Sequence, residues 1–529
     1  MDDGAPRSEW VRACSREELE RADRKLFRAG AKQIVLFATA KGVRACNNRC
    51  PHEGYPLSEG TLDADCRLTC NWHNWKFDLE DGTNLYGGDR LRTYPVALRS
   101  DDYWVDIADP PAEWRRRETL EHSRDAFADK EYDRIARDLV RLTRAGGELT
   151  DALAAAIGWS HDRLEFGWTH AYAGAADWLA LADAAKEDPE RALVAVLEAM
   201  THMAEDTLRE PEHGYGEATI APYEEASFLA AIEAQDEAGA LARLRGGLES
   251  GMGFAEFEPA LSRAALAHYN DFGHSLIYVV KCGRLIARLG QRVERPLLLA
   301  LVRSLVHATR EDLIPEFRGY AKALAGFGAG PACGLDREAL RRAGIGPALD
   351  LVAAAGASPP LDLYRDLLAI NAERLLTFDL GFDNRMEGPV ADNASWLDVT
   401  HGVTFANAVR LQCGKAPSLW PAGLLQLACH AGRNLQFADP KQELDQWRVD
   451  DADRFFTTEI EALFDHGIEE EIIAVHRVKT LLAAREEWRA GMAGPELLAA
   501  VNRYLHEPIK GRHPRRTARQ AMAFVAREG

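Results

Sequence analysis

No stretch of this 529-residue chain approaches the ~20 consecutive apolar residues of a membrane-spanning helix, so no membrane span is expected. The opening residues, MDDGAPRSEW, carry acidic side chains and no apolar core, and neither a secretory nor a twin-arginine export signal is expected there. Positive charge is in deficit: 64 Lys and Arg stand against 83 Asp and Glu, a formal charge of −19. A surface of that sign repels phosphate backbones, which argues against nucleic acid as a partner. The one basic cluster, Lys510 to Arg519, reads as a solvated helix start at Pro514. Cysteine is also sparse. Of nine, seven (Cys14, Cys46, Cys66, Cys282, Cys333, Cys413 and Cys429) stand singly, the pattern of reduced core thiols, and a cytoplasmic location is expected.

The remaining two cysteines are each paired with a histidine. Cys50-Pro51-His52 and Cys70-Asn71-Trp72-His73 form a CxH and a CxxH with seventeen residues between His52 and Cys70. Two thiolates and two imidazoles suit either a zinc ion or a mixed-ligand iron–sulfur cluster. The flanking residues favour the cluster: Pro51, Gly54, Pro56, Ser58, Glu59 and Gly60 follow the first pair, and Trp75, Phe77, Asp78 and Gly82 the second. This stretch resembles the Rieske ferredoxin and oxygenase class over roughly residues 8–108. The resemblance implies a [2Fe-2S] cluster with Cys50 and Cys70 on one iron and His52 and His73 on the other, the His-ligated iron taking the electron.

Two absences narrow the class. High-potential Rieske proteins of quinol oxidation carry a disulfide between the cluster loops, and here Tyr55 and Trp72 stand in those places. Asn74-Trp75 also replace the Gly-Ser that donates a hydroxyl to the cluster there, so the lower part of the Rieske potential range is expected. Ring-hydroxylating Rieske oxygenases hold a mononuclear iron with a HisxxxxHis pair, and no such pair occurs in this chain. The resemblance to that class therefore stops at the cluster domain. Trp72 and Trp75 are read as packing residues beside the cluster.

Two domains are expected, 1–110 and 111–529. Short β-rich runs at Trp10 to Cys14, Gln33 to Thr39, Gly42 to Cys46, Arg67 to Cys70, Lys76 to Leu79, Leu91 to Leu98 and Tyr103 to Ile107, with a turn at Asp81-Gly82, predict an all-β first domain. After Asp109-Pro110-Pro111 the spacing becomes helical and predicts an all-α domain, divided by the Gly-, Ala- and Pro-rich stretch 326–360.

Within that domain three segments each begin with a histidine and end with another about thirty residues on: His170 and His202, His274 and His307, His401 and His430. Each reads as a helical hairpin, and antiparallel packing predicts that the six histidines meet at one end. Asp271 and Asp398 precede a histidine by three, Glu205 follows His202 by three, and Glu311 follows His307 by four. Two readings stand. The six hold a second metal, iron, as inward-facing groups of helix bundles do, or they are core histidines bonded to backbone and acids. The string from His401 to Arg410 resembles the questin-oxidase-like helical proteins and points toward the first.

The functional reading is a Rieske-type redox protein passing single electrons, an oxidoreductase with a second metal or cofactor site in the helical domain. The alternative is a non-catalytic electron-transfer subunit whose helical domain docks a larger redox enzyme such as a hydrogenase or dehydrogenase. Both require a redox partner protein as electron donor or acceptor.

Overall fold

The computed structural model describes residues 8–207, 213–442 and 445–527, and the chain folds as two compact units, Met1–Ala152 and Leu153–Gly529. Among the described residues of the first unit eleven short strands, numbered in chain order, form three antiparallel sheets. β1 (Trp10–Ser15), β11 (Asp102–Asp106) and β10 (Val96–Arg99) pair in that order. The second sheet runs β2 (Arg24–Ala29), β3 (Lys32–Thr39), β4 (Gly42–Asn47), β9 (Thr93–Tyr94). The third runs β5 (Thr61–Leu62), β6 (Arg67–Thr69), β7 (Lys76–Asp78), β8 (Asn84–Tyr86).

Strand β3 sits between two cores because successive side chains of a strand point to opposite faces. Val35 and Phe37 pack with Leu57, Leu68, Phe77 and the cluster-loop cysteines, while Ile34 and Leu36 pack with Leu19, Tyr94 and Val105. Burial on both faces explains its unbroken IVLF run, which reads as a strand without alternation. The sequence reading did not include the short strands β5 and β8, nor β2 and the first helix. β2 carries charges at Arg24, Lys25 and Arg28 and is an edge strand, where such residues face water. Helix α1 (Arg16–Ala22) is only two turns long, too short for periodicity to show, and is set by a capping box in which Ser15 and Glu18 bond each other's backbone N–H.

The first unit extends past the expected boundary at residue 110. Helices α2 (Ala112–Ala128) and α3 (Tyr132–Arg144) belong to it: Glu118 of α2 pairs with Arg90 at 3.4 Å, and α3 is tied through a buried carboxylate. Asp89, fully buried, accepts from Arg134 at 3.0 Å, Arg137 at 3.2 Å and Arg141 at 2.7 Å, three residues presented on one face of α3. Burial pushes the Asp89 carboxyl up, but Arg141 and Arg137 outweigh it and hold the group below its ordinary value. Removing one side of such a pair leaves a buried charge uncompensated, a cost of about 3–5 kcal/mol.

The second unit is helical. Its three sequence-marked segments form the helices His170–Ala184 and Pro189–Asp206, His274–Leu289 and Gln291–Val306, and Trp396–Lys415 and Trp420–Asn434. A further helix, Glu471–Arg489, packs against both His170–Ala184 and Trp396–Lys415, and His274–Leu289 closes the ring from the opposite side. These four helices make a bundle whose core side chains include Tyr172, Leu276, Val403 and Val478, all essentially inaccessible to solvent. Among the described residues no helix is long and apolar enough to cross a membrane.

Candidate metal centres

The first site is built by two loops with the same backbone plan. After β4 the Cys50 N–H bonds the Tyr55 carbonyl and the Gly54 N–H returns to the Cys50 carbonyl; after β6 the Cys70 N–H bonds the Trp75 carbonyl and the Asn74 N–H returns to the Cys70 carbonyl. Each loop turns on a left-handed residue four places after its cysteine, Gly54 at φ +77° and Asn74 at φ +61°. Glycine and asparagine are the residues that adopt this conformation at least cost.

The loops bring all four residues together. Cys50 and Cys70 are buried side by side, and burial, with Cys70 alongside, pushes the Cys50 thiol up to about 12. The imidazoles of His52 and His73 meet edge to face with ring centroids 4.7 Å apart. His52 stacks on Trp75 at 4.5 Å with the two rings nearly parallel, and its buried Nδ1 has no hydrogen-bond partner. Trp75 is in turn seated against Gly87 (φ +128°), where a Cβ would lie 2.4 Å from the indole. Two buried thiols and an imidazole nitrogen without a partner are a donor set suited to the mixed ligation of a [2Fe-2S] cluster. Trp75 has the expected packing role. Trp72 does not: it stacks on His73 at 4.5 Å but is 55% exposed, so its outer face meets solvent.

The second site lies at one end of the four-helix bundle. His170 and His274 are the first residues of their helices, and their Nε2 atoms are 2.9 Å apart. His401 joins them, and the ligating atoms of the three lie within 4.8 Å of one another. A fourth, His476, brings its ring centroid to 4.7 Å from that of His170 and 5.1 Å from that of His401.

Their tautomers are set by the other ring nitrogen. His401 Nδ1–H donates to the Leu397 carbonyl and His476 Nδ1–H to the Ile472 carbonyl, each at 2.6 Å, which leaves both Nε2 lone pairs free; those buried atoms have no partner. His274 Nδ1 bonds Asp271 Oδ2 at 2.9 Å, the arrangement in which a carboxylate orients a metal-bound imidazole. Burial pushes the pKa of His170, His401 and His476 well below the ordinary range, with Lys479 and the neighbouring histidines adding to it. Neutral imidazoles with free lone pairs are the form in which histidine ligates metal.

The turn that delivers Asp271 is strained. Asp271, Phe272 and Gly273 all have positive φ, and a Cβ on Gly273 would sit 2.1 Å from the Phe405 ring. A left-handed phenylalanine costs about 1–3 kcal/mol and persists where the surroundings impose it. Here Phe272 stacks over His401, and the Arg433 guanidinium lies over the Phe272 ring at 4.7 Å. Beneath the histidines the bundle core stays polar: Lys479 is buried with an unpartnered Nζ, its pKa lowered to about 7 by burial, and Lys281 pairs with Asp177 at 2.5 Å two turns below His274 and His170.

Of the six histidines marked in the sequence, His170, His274 and His401 come together and three do not join them. His202 is buried with Asp206 at 3.6 Å, and His430 is held by Asn371 and Asn434 within the core. His307, one residue past its helix, pairs with Glu237 at the surface. Each is displaced by the same cause, since a hairpin's second histidine lies on, or for His307 just past, a helix that packs outside the central four. Of the carboxylates named in the sequence, Asp271 bonds its histidine, and Asp398 caps its own helix through Ser395. His476 was missed because it belongs to no hairpin, although a histidine inside the apolar run IIAVHRVKTLL was a usable signal.

Comparison with known proteins covers the first site. The Rieske [2Fe-2S] domain family matches residues 9–95. The ferredoxin component of an alkene monooxygenase system from Xanthobacter autotrophicus is 30% identical over 106 residues, spanning 20% of this chain and 87% of the ferredoxin. A 3-phenylpropionate/cinnamic acid dioxygenase ferredoxin subunit from Shigella boydii is 36% identical over 76 residues, 14% of this chain and 72% of that subunit. A 4beta-methylsterol monooxygenase from Methylococcus capsulatus is 35% identical over 98 residues, but only 26% of its own length and 16% of this chain are covered. Through its N-terminal unit the chain belongs to the Rieske [2Fe-2S] proteins.

Proposed function

We propose that this chain is an oxidoreductase in which Cys50, Cys70, His52 and His73 would hold a [2Fe-2S] cluster and His170, His274, His401 and His476 an iron ion. The observation that carries the second half is the convergence of four imidazoles from four helices, two of them with buried Nε2 atoms lacking any partner. Zinc, copper, nickel and iron all accept imidazole, but zinc has no redox chemistry, so an electron carrier in the same chain favours a metal that changes oxidation state. When bound, the cluster supplies one-electron transfer and the iron a centre able to activate dioxygen or reduce a substrate.

The protein's own groups supply orientation and protons. The Leu397 and Ile472 carbonyls and Asp271 hold the imidazole tautomers. Glu311, pushed up to about 7 by burial and by Asp271, can give or take a proton near neutral pH beside that carboxylate. A redox partner protein supplies the electrons, and the exposed face of Trp72, stacked on His73, is the part of the cluster end that meets it. Nine thiols without a disulfide among them fit a reducing, cytoplasmic setting.

Metal analysis of the full chain tests the reading. About three irons per chain are expected, falling to about two in a His401→Ala, His476→Ala double variant that keeps the cluster's visible absorption. Two irons in both proteins would sink the second site and leave a Rieske electron-transfer subunit.

A further inference from the structure

A cleft of about 680 Å³ opens within the first unit. Its walls are the Cys50-Pro51 cluster loop, the segment from Arg90 to Pro95, and the facing sides of α2 and α3. The volume is that of a small-molecule site. We propose that this cleft binds a planar nitrogen heteroaromatic with an N–H edge and an anionic tail, the chemistry of flavin mononucleotide or a folate.

Three features carry the assignment. Asp138, fully buried in the cleft wall, accepts from Arg141 through Oδ1, while its buried Oδ2 has no partner. A carboxylate oxygen left so calls for a donor, because an unmet buried acceptor costs about 1–3 kcal/mol. Burial also pushes the Asp138 carboxyl up, so a neutral N–H is a fitting donor. At the other extreme of charge, Arg49, Arg115 and Arg144 line the cleft and form no ion pair among the described residues, in a chain whose net charge is −19. Unopposed guanidiniums hold carboxylate or phosphate groups, often in bidentate fashion. Between these poles the walls are flat and apolar: Pro51, Pro95, Pro110, Tyr94 and the half-exposed indole of Trp114, which offers a stacking face.

A metal is the competing occupant, since Asp89, His122 and Asp138 have ligating atoms within 4.8 Å of one another. It is excluded by charge. Both oxygens of Asp89 are already bonded to Arg134, Arg137 and Arg141, and a cation there would face three guanidiniums at close range.

The test is a titration of the cluster-loaded full chain with flavin mononucleotide, riboflavin and folate, read by ligand fluorescence and by the visible spectrum of the cluster, whose Cys50 loop is one wall. Flavin mononucleotide or folate is expected to bind, and whichever does identifies the tail. Asp138→Asn and Trp114→Ala should each weaken that binding about tenfold or more, and removal of the tail, as in riboflavin, should cost a similar factor that Arg144→Ala abolishes. Trp114 lies at the rim, so its variant keeps the question open to an answer if Asp138→Asn disturbs α3; an unchanged cluster spectrum without ligand certifies each fold. Absence of binding by both anionic ligands at about 1 mM, or equal affinity in every variant, overturns the proposal.

Discussion

The two candidate metal sites are made in opposite ways. The cluster site takes its four residues from 24 consecutive positions, Cys50 to His73, and holds them by hydrogen bonds inside each loop. The bundle site takes its four from His170 to His476, more than 300 positions, and no two of them share a helix. A site of the first kind carries its geometry in local turn chemistry. One of the second kind exists only when four helices pack in register, so loss of packing and loss of site are one event.

The sharpest way to break this comparison is Cys70→Ser. It should abolish the cluster outright, with loss of about two irons per chain and of the visible absorption, while the iron proposed for the helical unit stays bound. His476→Ala should do the converse, and Asp271→Asn should lower bundle-metal affinity about 10- to 100-fold in a competition titration, because the orienting acceptor is weakened and the ligand is kept. Equal effects of Cys70→Ser on both sites would show that they do not form independently.

Acid separates the two units next. His430 is buried and neutral, its pKa lowered from 6.5 to about 3 by burial and then by Arg433. The unfolded chain therefore binds more protons than the folded one between those values, and the stability His430 contributes is complete above pH 6.5 and lost as pH falls toward 3. Urea midpoints of the helical unit should drop over this window, and His430→Gln should flatten the slope by up to about 1.4 kcal/mol per pH unit. An unchanged slope would mean that His430 is protonated in the folded state.

The smallest contrast lies within the cluster site. Trp75→Ala removes the ring stacked on His52 and should destabilise the first unit by about 2–3 kcal/mol while shifting the cluster's reduction potential. Trp72→Ala, trimming a ring more than half in water, should stay within about 0.5 kcal/mol in thermal unfolding. Equal losses would make Trp72 a packing residue after all.

What was legible follows the same division. The strands at Lys32–Thr39, Gly42–Asn47 and Lys76–Asp78 and the turn at Gly82 were readable because short runs of β-branched and aromatic residues, and the turn residues that bound them, act over a few positions. Strand β2 and helix α1 were not, one being a charged edge and the other two turns long. The place of α2 and α3 in the first unit depended on Asp89 meeting three arginines some fifty residues away, which no local pattern announces. In the bundle, histidine spacing marked His170, His274 and His401, but the same spacing marked His202, His307 and His430, which pack outside the central four helices.

By itself the sequence determined a Rieske-type loop pair, because CxH and CxxH between turn residues place their donors through bonds within a few positions. It also determined that the remainder is helical. Only the tertiary structure decided which histidines meet, that His476 completes the group, and that Asp271 rather than Asp398 or Glu311 orients one of them. The reason is geometric: helical periodicity says which face a residue occupies, and only the packing of four faces around one axis says what that residue touches.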